Sequence, residues 1–375
     1  MATVGDTGSP STNTVYYDAL LSTTLDAFMS GGKMFDNIFK DSAFLALLRL
    51  NDAVETQNGG ERIRAPIMWQ PNSTVKSYSG ADTLDTTIQD GITTAFYEWK
   101  EIGGTIGITR KEERQNSGEA AKLGLLKAKI RQAQMTMRET LNQQLVQGTV
   151  SSATFVPGND NKDLYPLGYF LRKLNATDPT VGGDVGNISN ADNSWWRHRT
   201  SAFNGDNDTG NAFSIQASTY KGLVVNLRRL YNFCSRGSGG SPNVCLFDQT
   251  SYETYENALD EKVRYSNTKL ADMGFDNIKL RGATCIWDEQ VPDIDRGEAV
   301  GSGAVTELVT GSAFFLNTEF YKLIVDSETD IVSTPFVEPE NQTVKTSKIL
   351  FMGNSAVSNL RKHGVGYAIS PDIVS

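Results

Sequence analysis

Apolar residues alternate with polar ones in two stretches near residue 60 and residue 100. The first stretch places four apolar residues on one side of a strand: Ile63, Ala65, Ile67 and Trp69. The second extended stretch runs from Ala95 to Thr109. The residues between them, 71–91, are polar and rich in turn formers. The pattern predicts a hairpin whose long polar tip projects from the body of the protein.

A long helix is predicted from Ser117 to Gln147. Asn116 is a favourable N-cap, Glu119 follows at the spacing of a capping box, and Gly148 suits a left-handed C-cap. One face carries apolar residues at steps of three and four: Leu123, Leu126, Ile130, Met137, Leu141 and Leu145. At about 1.5 Å per residue such a helix would be roughly 45 Å long, so we expect it to be the spine of its domain.

The remaining pattern is of shorter elements. Two amphipathic pieces, 16–29 and 35–50, read as an arm, and residues 149–215 read as loop. A strand from Val244 to Phe247 is predicted between helices at 218–233 and 248–265, and the chain closes with further strands. The closing strands are 314–316, 321–325, 344–351 and 363–369, with Pro335 and Pro339 marking a break in strand pairing. This order predicts an α+β fold.

Composition excludes several classes of protein. A chain of 375 residues is long enough for two lobes, or for one lobe with extensions. Residues 1–32 contain no Lys or Arg and no apolar signal region, and the apolar runs are too short to span a bilayer. We therefore expect a soluble protein with no membrane partner. The net charge of −9 disfavours broad attraction to nucleic acid, so any DNA contact should be local.

The residues that catalysis or cofactor binding would need are not grouped in recognisable motifs. The only histidines are His198 and His363, and no G-x-S-x-G is present. The glycine-rich segment 236–243 lacks the G-K-[ST] ending of a phosphate loop and follows a helix. The three cysteines form no C-x-x-C pair, and "DSETD" at 326–330 lacks the spacing of a calcium loop. We expect no catalytic site, no cofactor and no metal.

Basic residues are concentrated on and just before the predicted spine helix. Residues 110–138 hold eight Lys and Arg against three Glu, a local excess of five positive charges in an acidic chain. One interpretation is a solvated helix face. The other is contact with an acidic partner such as packaged DNA, made chiefly by Lys122, Lys129 and Arg131.

Four segments resemble those of tailed-bacteriophage major capsid proteins of the Hong Kong 97 type. The first is Gly182 and Gly183 followed by "NSWWRHRT", and the second is "RYSNTKLADMGFDNIKLRGATCIWDE" at 264–289. The others are "AFFLNTEFYKLIV" at 313–325 and "ILFMGNSAVSNLRKHGVGYAI" at 349–369. The order of predicted elements also matches that fold, and the resemblance covers most of the chain from about residue 60.

The resemblance implies a division of the chain into parts with different roles. They are an N-terminal arm (1–60), an extended-loop hairpin (61–112), the spine helix of the peripheral domain (113–149), an axial domain (150–312) and the returning strands of the peripheral domain (313–375). Gly59, Gly60, Gly103 and Gly104 flank the hairpin and are candidate hinges for a subunit that must fit both hexamers and pentamers.

The implied function is a shell subunit that assembles with itself into hexamers and pentamers of an icosahedral head around double-stranded DNA. We expect it in the virion, and in the host cytoplasm during assembly. The implied partners are a portal protein, non-specifically bound DNA and a separate scaffolding protein, because the sequence begins almost directly at the arm. Two alternatives remain open: an encapsulin-like cellular nanocompartment shell, and an enzyme whose site lacks a familiar motif.

Overall fold

Two compact units make up the chain in the computed structural model, which describes residues 43–115, 125–147, 158–171, 184–190, 192–203, 220–259, 278–291, 311–340 and 342–369. The described part of the small unit comprises 103–115, 125–137, 333–340 and 342–349, and the large unit comprises the other described residues. Each unit contains both helix and strand. The fold is therefore of the α+β class, as the sequence predicts.

The helices and strands have the following bounds. The helices are α1 (Ala43–Leu50), α2 (Arg110–Gln115), α3 (Leu125–Val146), α4 (Leu167–Phe170), α5 (Tyr220–Cys234) and α6 (Gln249–Leu259), with short 3-10 turns at Ser194–Trp196 and Leu360–Lys362. The strands are β1 (Val54–Gln57), β2 (Ile63–Met68), β3 (Ile92–Tyr97), β4 (Lys100–Thr109), β5 (Asp184–Val185), β6 (Ile188–Ser189), β7 (Arg199–Ala202), β8 (Val244–Phe247), β9 (Ile278–Leu280), β10 (Ala283–Trp287), β11 (Ala313–Leu316), β12 (Tyr321–Asp326), β13 (Val332–Ser333), β14 (Val344–Val357) and β15 (Gly364–Tyr367). Residues Gly158–Asn161 form a further turn with positive φ at Asn159 and Asp160.

A six-stranded sheet lies at the centre of the large unit. Its strand order is β7-β15-β11-β8-β10-β9, with β8 parallel to β10 and antiparallel to β11. Every residue of β8, β11 and β15 is buried, which explains their continuous apolar or glycine-rich sequences. Strand β8 coincides with the predicted strand from Val244 to Phe247.

Helix α5 packs its apolar stripe against this sheet. Leu223, Leu227 and Leu230 are fully buried, at the three- and four-residue spacing that predicted the helix. The same core contains the three free cysteines, Cys234, Cys245 and Cys285. Burial raises the pKa of the Cys234 thiol to about 12, so this thiol stays protonated at neutral pH.

Strand β14 is shared between the units. In the large unit its second half pairs antiparallel with β12, which in turn pairs parallel with β1. In the small unit β4 pairs with β14, and Arg110 donates a backbone hydrogen bond of 3.2 Å to the carbonyl of Thr343. Strand β13 pairs with β14, but the segment after it, which contains Pro335 and Pro339, forms only an isolated bridge from Val337 to Thr346, in agreement with the predicted break.

Two sequence predictions were wrong in detail. The stretch from Ala95 to Thr109 is two strands: β3 pairs with β2, whereas β4 pairs with β14. The predicted loop at 149–215 contains a small hairpin, β5–β6, whose turn residues Gly186 and Asn187 both have positive φ. A Gly-Asn pair suits such a two-residue turn, so this signal was present in the sequence.

Several predicted elements lie partly or wholly outside the described residues. These are the arm up to residue 42, the start of the spine helix with Asn116, Glu119 and Lys122, its predicted cap Gly148, and residues 260–265 of the predicted second axial helix. The described part of the spine is α3, which ends at Val146, one residue before the predicted end.

Candidate functional site

The hairpin of β2 and β3 is the feature of the large unit that the sequence singled out. The strands pair antiparallel from Ile63 opposite Tyr97 to Met68 opposite Ile92. Burial alternates along β2, with Ile63 and Ile67 buried, as the period of two predicts. One face of the hairpin base therefore packs against the large unit.

Hydrogen bonds and ring contacts fix the base of the hairpin. The Tyr97 hydroxyl donates a 2.7 Å hydrogen bond to the carbonyl of Val357, and burial raises the pKa of this phenol. The backbone N–H of Phe96 donates to the carbonyl of Gly186 at 3.0 Å. Farther along, Trp69 stacks on Trp195 with their ring centroids 5.6 Å apart. These contacts hold the direction in which the hairpin leaves the body.

The tip beyond Trp69 has no comparable support from the rest of the described chain. Its side-chain hydrogen bonds join tip residues to one another, as in the bonds from Ser73 to Gln89 and from the N–H of Ser79 to Asp82. Thr87 donates to Asp85, and these bonds lower the pKa of the Asp85 carboxyl. The tip is thus organised locally and does not contribute to the core.

Apolar side chains are exposed along this tip. Seven of the twelve strongly exposed large hydrophobic residues in the described chain lie between residues 68 and 92: Met68, Trp69, Val75, Tyr78, Leu84, Ile88 and Ile92. Ile88 is 95% exposed and Val75 is 81% exposed. Such a concentration is typical of a surface that is buried in an assembly. The prediction for residues 71–91 was a polar, turn-rich tip, and it did not include the exposed apolar side chains of Val75, Tyr78, Leu84 and Ile88.

The four predicted hinge glycines have two different backbone conformations. Gly59 and Gly60 have φ of 56° and 107°, values that favour glycine, whereas Gly103 and Gly104 lie inside strand β4 without positive φ. The N–H of Gly59 donates to Asp326 at 3.4 Å, and Trp99 donates its indole N–H to the carbonyl of Gly60 at 2.9 Å. Bending at these positions remains a prediction.

The three basic residues assigned to the spine face have different surroundings. Lys122 lies outside the described residues, and Arg131 is exposed. Lys129 forms a 3.1 Å ion pair with Glu112 and donates to the carbonyl of Gly107 at 3.1 Å. Part of the predicted excess charge on this helix is therefore neutralised inside the small unit.

Glu112 also closes a capping box that was not predicted from the sequence. The N–H of Thr109 donates to the Glu112 carboxylate at 2.9 Å, and the Glu112 N–H donates to the Thr109 hydroxyl at 3.3 Å. Although burial disfavours the charged carboxylate, the Thr109 N–H and the Lys129 ammonium hold the pKa of Glu112 below its ordinary value. The T-x-x-E spacing at 109–112 was the available signal.

Both histidines lie inside the large unit. The N–H of Asn317 donates to Nδ1 of His363 at 3.3 Å, and burial together with nearby His198 lowers the pKa of His363 to about 3. This imidazole is a neutral hydrogen-bond acceptor within the protein. Among the described residues we find no cluster of three or more potential metal ligands. Within the same described residues, no helix is both long and apolar enough to span a membrane.

The fold is that of phage capsid subunits. The structure resembles the capsid asymmetric unit of cyanophage A-1(L) with a TM-score of 0.61 and 14% identity, covering 90% of this chain and 95% of that one. It resembles the capsid of Myoviridae phage XM1 with a TM-score of 0.53 and 9% identity, covering 90% and 95%. It also resembles the capsid of a native GTA particle with a TM-score of 0.52 and 10% identity, covering 90% and 94%.

Sequence comparison alone finds no relative. Neither a protein-family model nor a curated protein sequence matches the chain. The structural likeness nevertheless extends over nine tenths of the chain and nearly the whole of each capsid subunit. The chain therefore has the Hong Kong 97-type fold of tailed-phage capsid proteins.

The Thr109–Glu112 capping box yields a prediction about stability. Replacing Glu112 with Ala should lower the free energy of unfolding of the small unit by about 1–2 kcal/mol at pH 7, because it removes a cap and the partner of Lys129. Because the folded-state pKa is depressed, this contribution is present above the unfolded-state pKa of about 4.3 and is lost as pH falls through the folded-state pKa.

The measurement is chemical unfolding of wild type and variant at pH 7 and at pH 3. Lys111→Ala is the matched control, since Lys111 is an exposed residue of the same helical turn. Equal destabilisation by both substitutions, or a Glu112→Ala effect that persists unchanged at pH 3, would contradict this account of Glu112.

Proposed function

We propose that this chain is a major capsid protein of a tailed phage, which assembles with itself into the hexamers and pentamers of an icosahedral head that encloses double-stranded DNA. The observation that carries the proposal is the hairpin: it has a fixed base and a tip that exposes Val75 and Ile88 to solvent. In a free monomer this apolar surface would remain in water, at a cost of roughly 25 cal/mol per Å². A neighbouring copy can bury it.

The fold supports the same proposal. Closed rings of identical subunits need an interface that repeats around the ring, and a projecting hairpin adds contact area beyond the reach of the compact core. A structural role also fits the two buried histidines, since a neutral, enclosed imidazole such as His363 has no access to a substrate. The chain would act in the virion shell, and before that in the host cytoplasm.

The proposed partners follow from the same role. A separate scaffolding protein would direct assembly to one shell size, and a portal protein would occupy one vertex. Uniform shells of the correct size formed by this chain alone would overturn the need for scaffolding. Particles that enclose a cellular enzyme in place of DNA would favour the encapsulin-like alternative.

The tip yields the principal test of assembly. Replacing residues 72–91 with a short Gly-Ser linker should leave a subunit that is soluble and melts cooperatively, because the tip's hydrogen bonds are local and its apolar side chains are already exposed. The same variant should form no shells. Thermal unfolding and electron microscopy on one preparation provide the two readings.

Point substitutions sharpen the test. Val75→Ser together with Ile88→Ser should weaken assembly by removing exposed apolar surface, whereas Thr83→Ser, at another exposed tip position, should not. A change of 1.4 kcal/mol per contact is about tenfold in each equilibrium constant, and it recurs around the ring.

Two outcomes would contradict the proposed role of the tip. An unfolded linker variant would show that the tip belongs to the core, and normal shells of the linker variant would show that the tip is dispensable.

We further propose that the spine helix faces the packaged DNA, with Arg131 as the principal contact because Lys129 is already paired with Glu112. Phosphate contacts of this kind are independent of base sequence and weaken with salt. Arg131→Gln should lower the affinity of the protein for DNA uniformly across sequences and reduce the slope of its salt dependence by about one. Arg228→Gln on α5 removes an equal charge elsewhere, and an identical loss there would refute the assignment.

A further inference from the structure

Basic side chains gather at one edge of the six-stranded sheet, far along the sequence from the spine helix. At this edge β7, β15 and β8 begin and β11 ends, and helix α5 terminates beside them. The glycine-rich segment 236–243 connects α5 to β8 there. Four cationic residues meet at this place: Arg199, Arg236, Arg361 and Lys362.

The ammonium group of Lys362 donates all of its hydrogen bonds within the subunit. Its buried ammonium group donates hydrogen bonds of 3.2, 3.1 and 3.0 Å to the carbonyls of Arg236, Gly237 and Gly240. It thereby satisfies the backbone carbonyls that follow the C-terminal end of α5. A Cβ on Gly239 (φ +102°) would lie 2.8 Å from the Phe320 ring, so the loop closes tightly around the lysine only with glycine there.

Arg199 differs from Lys362, because its Nε donates no hydrogen bond. Its side chain is buried, with only 8% of the residue exposed, and its Nε has no hydrogen-bond partner. The guanidinium carbon of Arg199 lies 4.2 Å from the centroid of the Phe233 ring, and that of Arg236 lies 4.9 Å from the same centroid. Both guanidinium groups therefore lie close to the same aromatic ring.

No carboxylate in the described part of the chain forms an ion pair with Arg199, Arg236 or Arg361. Burial, followed by the positive charge of Arg361 and then that of Arg236, lowers the pKa of Arg199. Glu319 raises the pKa of the neighbouring Lys362, and its carboxylate oxygen would lie 3.8 Å from a Cβ on Gly240. Among the described residues, the cluster thus has more positive charge than nearby carboxylates balance.

An uncompensated guanidinium inside a protein is unfavourable, because a desolvated charge is stabilised only when hydrogen bonds and an opposite charge replace its hydration. The face of Phe233 compensates only part of this, since a cation–π contact does not replace the lost hydrogen bonds. An anion supplied from outside the subunit would provide the remaining interaction. We propose that Arg199, Arg236 and Arg361 form a binding site for a phosphate group.

The geometry favours a phosphate over a single halide ion. Guanidinium groups donate paired hydrogen bonds of about 2.8 Å to tetrahedral oxyanions, and a buried arginine beside two exposed ones can bind different oxygens of one phosphate. The segment 236–243 lacks the G-K-[ST] ending of a nucleotide-hydrolysing loop, so the site is proposed only as a binding site.

The phosphate could come from a DNA backbone or from free phosphate compounds, and one set of titrations separates these sources. The full-length chain is titrated with inorganic phosphate by calorimetry, with chloride at equal ionic strength as the reference. The bound phosphate is then competed with tripolyphosphate or with a short DNA duplex. Displacement by the duplex identifies the nucleic-acid backbone as the ligand, and displacement by tripolyphosphate alone identifies a free polyphosphate.

The variants are Arg236→Gln/Arg361→Gln and, separately, Arg199→Gln. Arg236 and Arg361 are exposed, so the double variant should fold normally even if the buried Arg199→Gln substitution does not. The double variant should bind phosphate at least about tenfold more weakly. Arg228→Gln is the control. Arg228 lies on helix α5 near Tyr255 of α6, so its replacement should leave the phosphate affinity unchanged.

Two results would overturn the proposal. One is phosphate affinity that is equal in wild type and the double variant, or no higher than that of chloride. The other is a wild-type protein that does not bind phosphate while the double variant loses self-association, which would assign the arginines to a carboxylate of a second copy. Failure of shell assembly with intact phosphate binding would count against the proposed function alone.

Discussion

The hydrogen bond from the Tyr97 hydroxyl to the carbonyl of Val357, at 2.7 Å, joins the hairpin base to the end of strand β14. Around it the rings of Tyr165 and Phe170 pack edge-on against Tyr97, each with its centroid 6.0 Å away. The base is therefore fixed by contacts with the core, whereas the side-chain hydrogen bonds described for the tip between Trp69 and Ile92 join tip residues to one another. The fixed base sets the position of the tip, and the exposed apolar side chains of the tip can then be covered by another protein surface.

Charge is distributed unevenly in this acidic chain. The spine helix carries a local excess of basic residues, but the pairing of Lys129 with Glu112 shows that some of it stabilises the subunit itself. At the sheet edge the balance differs, because Lys362 is satisfied by backbone carbonyls whereas Arg199 has no hydrogen-bonded partner for its Nε. Counting charges in a sequence window cannot separate these cases, since the partners depend on tertiary contacts.

The sequence patterns correctly predicted the elements whose residues alternate between buried and exposed positions with a regular period. The alternation in β2, the stripe on α5 and the buried run of β8 all follow from periodicity and burial, and their bounds agree closely with the structure. The pairing of β4 with β14 could not be predicted in this way. The alternation of buried and exposed residues in a strand is the same whichever strand it pairs with. The capping box at Thr109 was missed because it follows a strand directly and precedes charged residues.

The arginine cluster could not have been found from sequence patterns at all. Arg199, Arg236 and Arg361 are distant in sequence, and only the pairing of β7 with β15 and the return of the 236–243 segment bring them together. The exposed apolar tip residues were in principle visible, since Val75, Tyr78, Leu84 and Ile88 interrupt an otherwise polar stretch. Their exposure, however, depends on the tip having no core to pack against.

In the assembled protein, we expect the hairpin tip to be buried against another copy of the chain. Electron cryo-microscopy of the particles that the full-length protein forms would test it most directly, by comparing the exposure of Val75 and Ile88 in the particle with their exposure of 81% and 95% in the isolated subunit. We expect closed rings or shells in which both side chains are covered by the adjacent subunit. Closed particles in which the tip remains in solvent, or a protein that stays monomeric under every assembly condition, would contradict it.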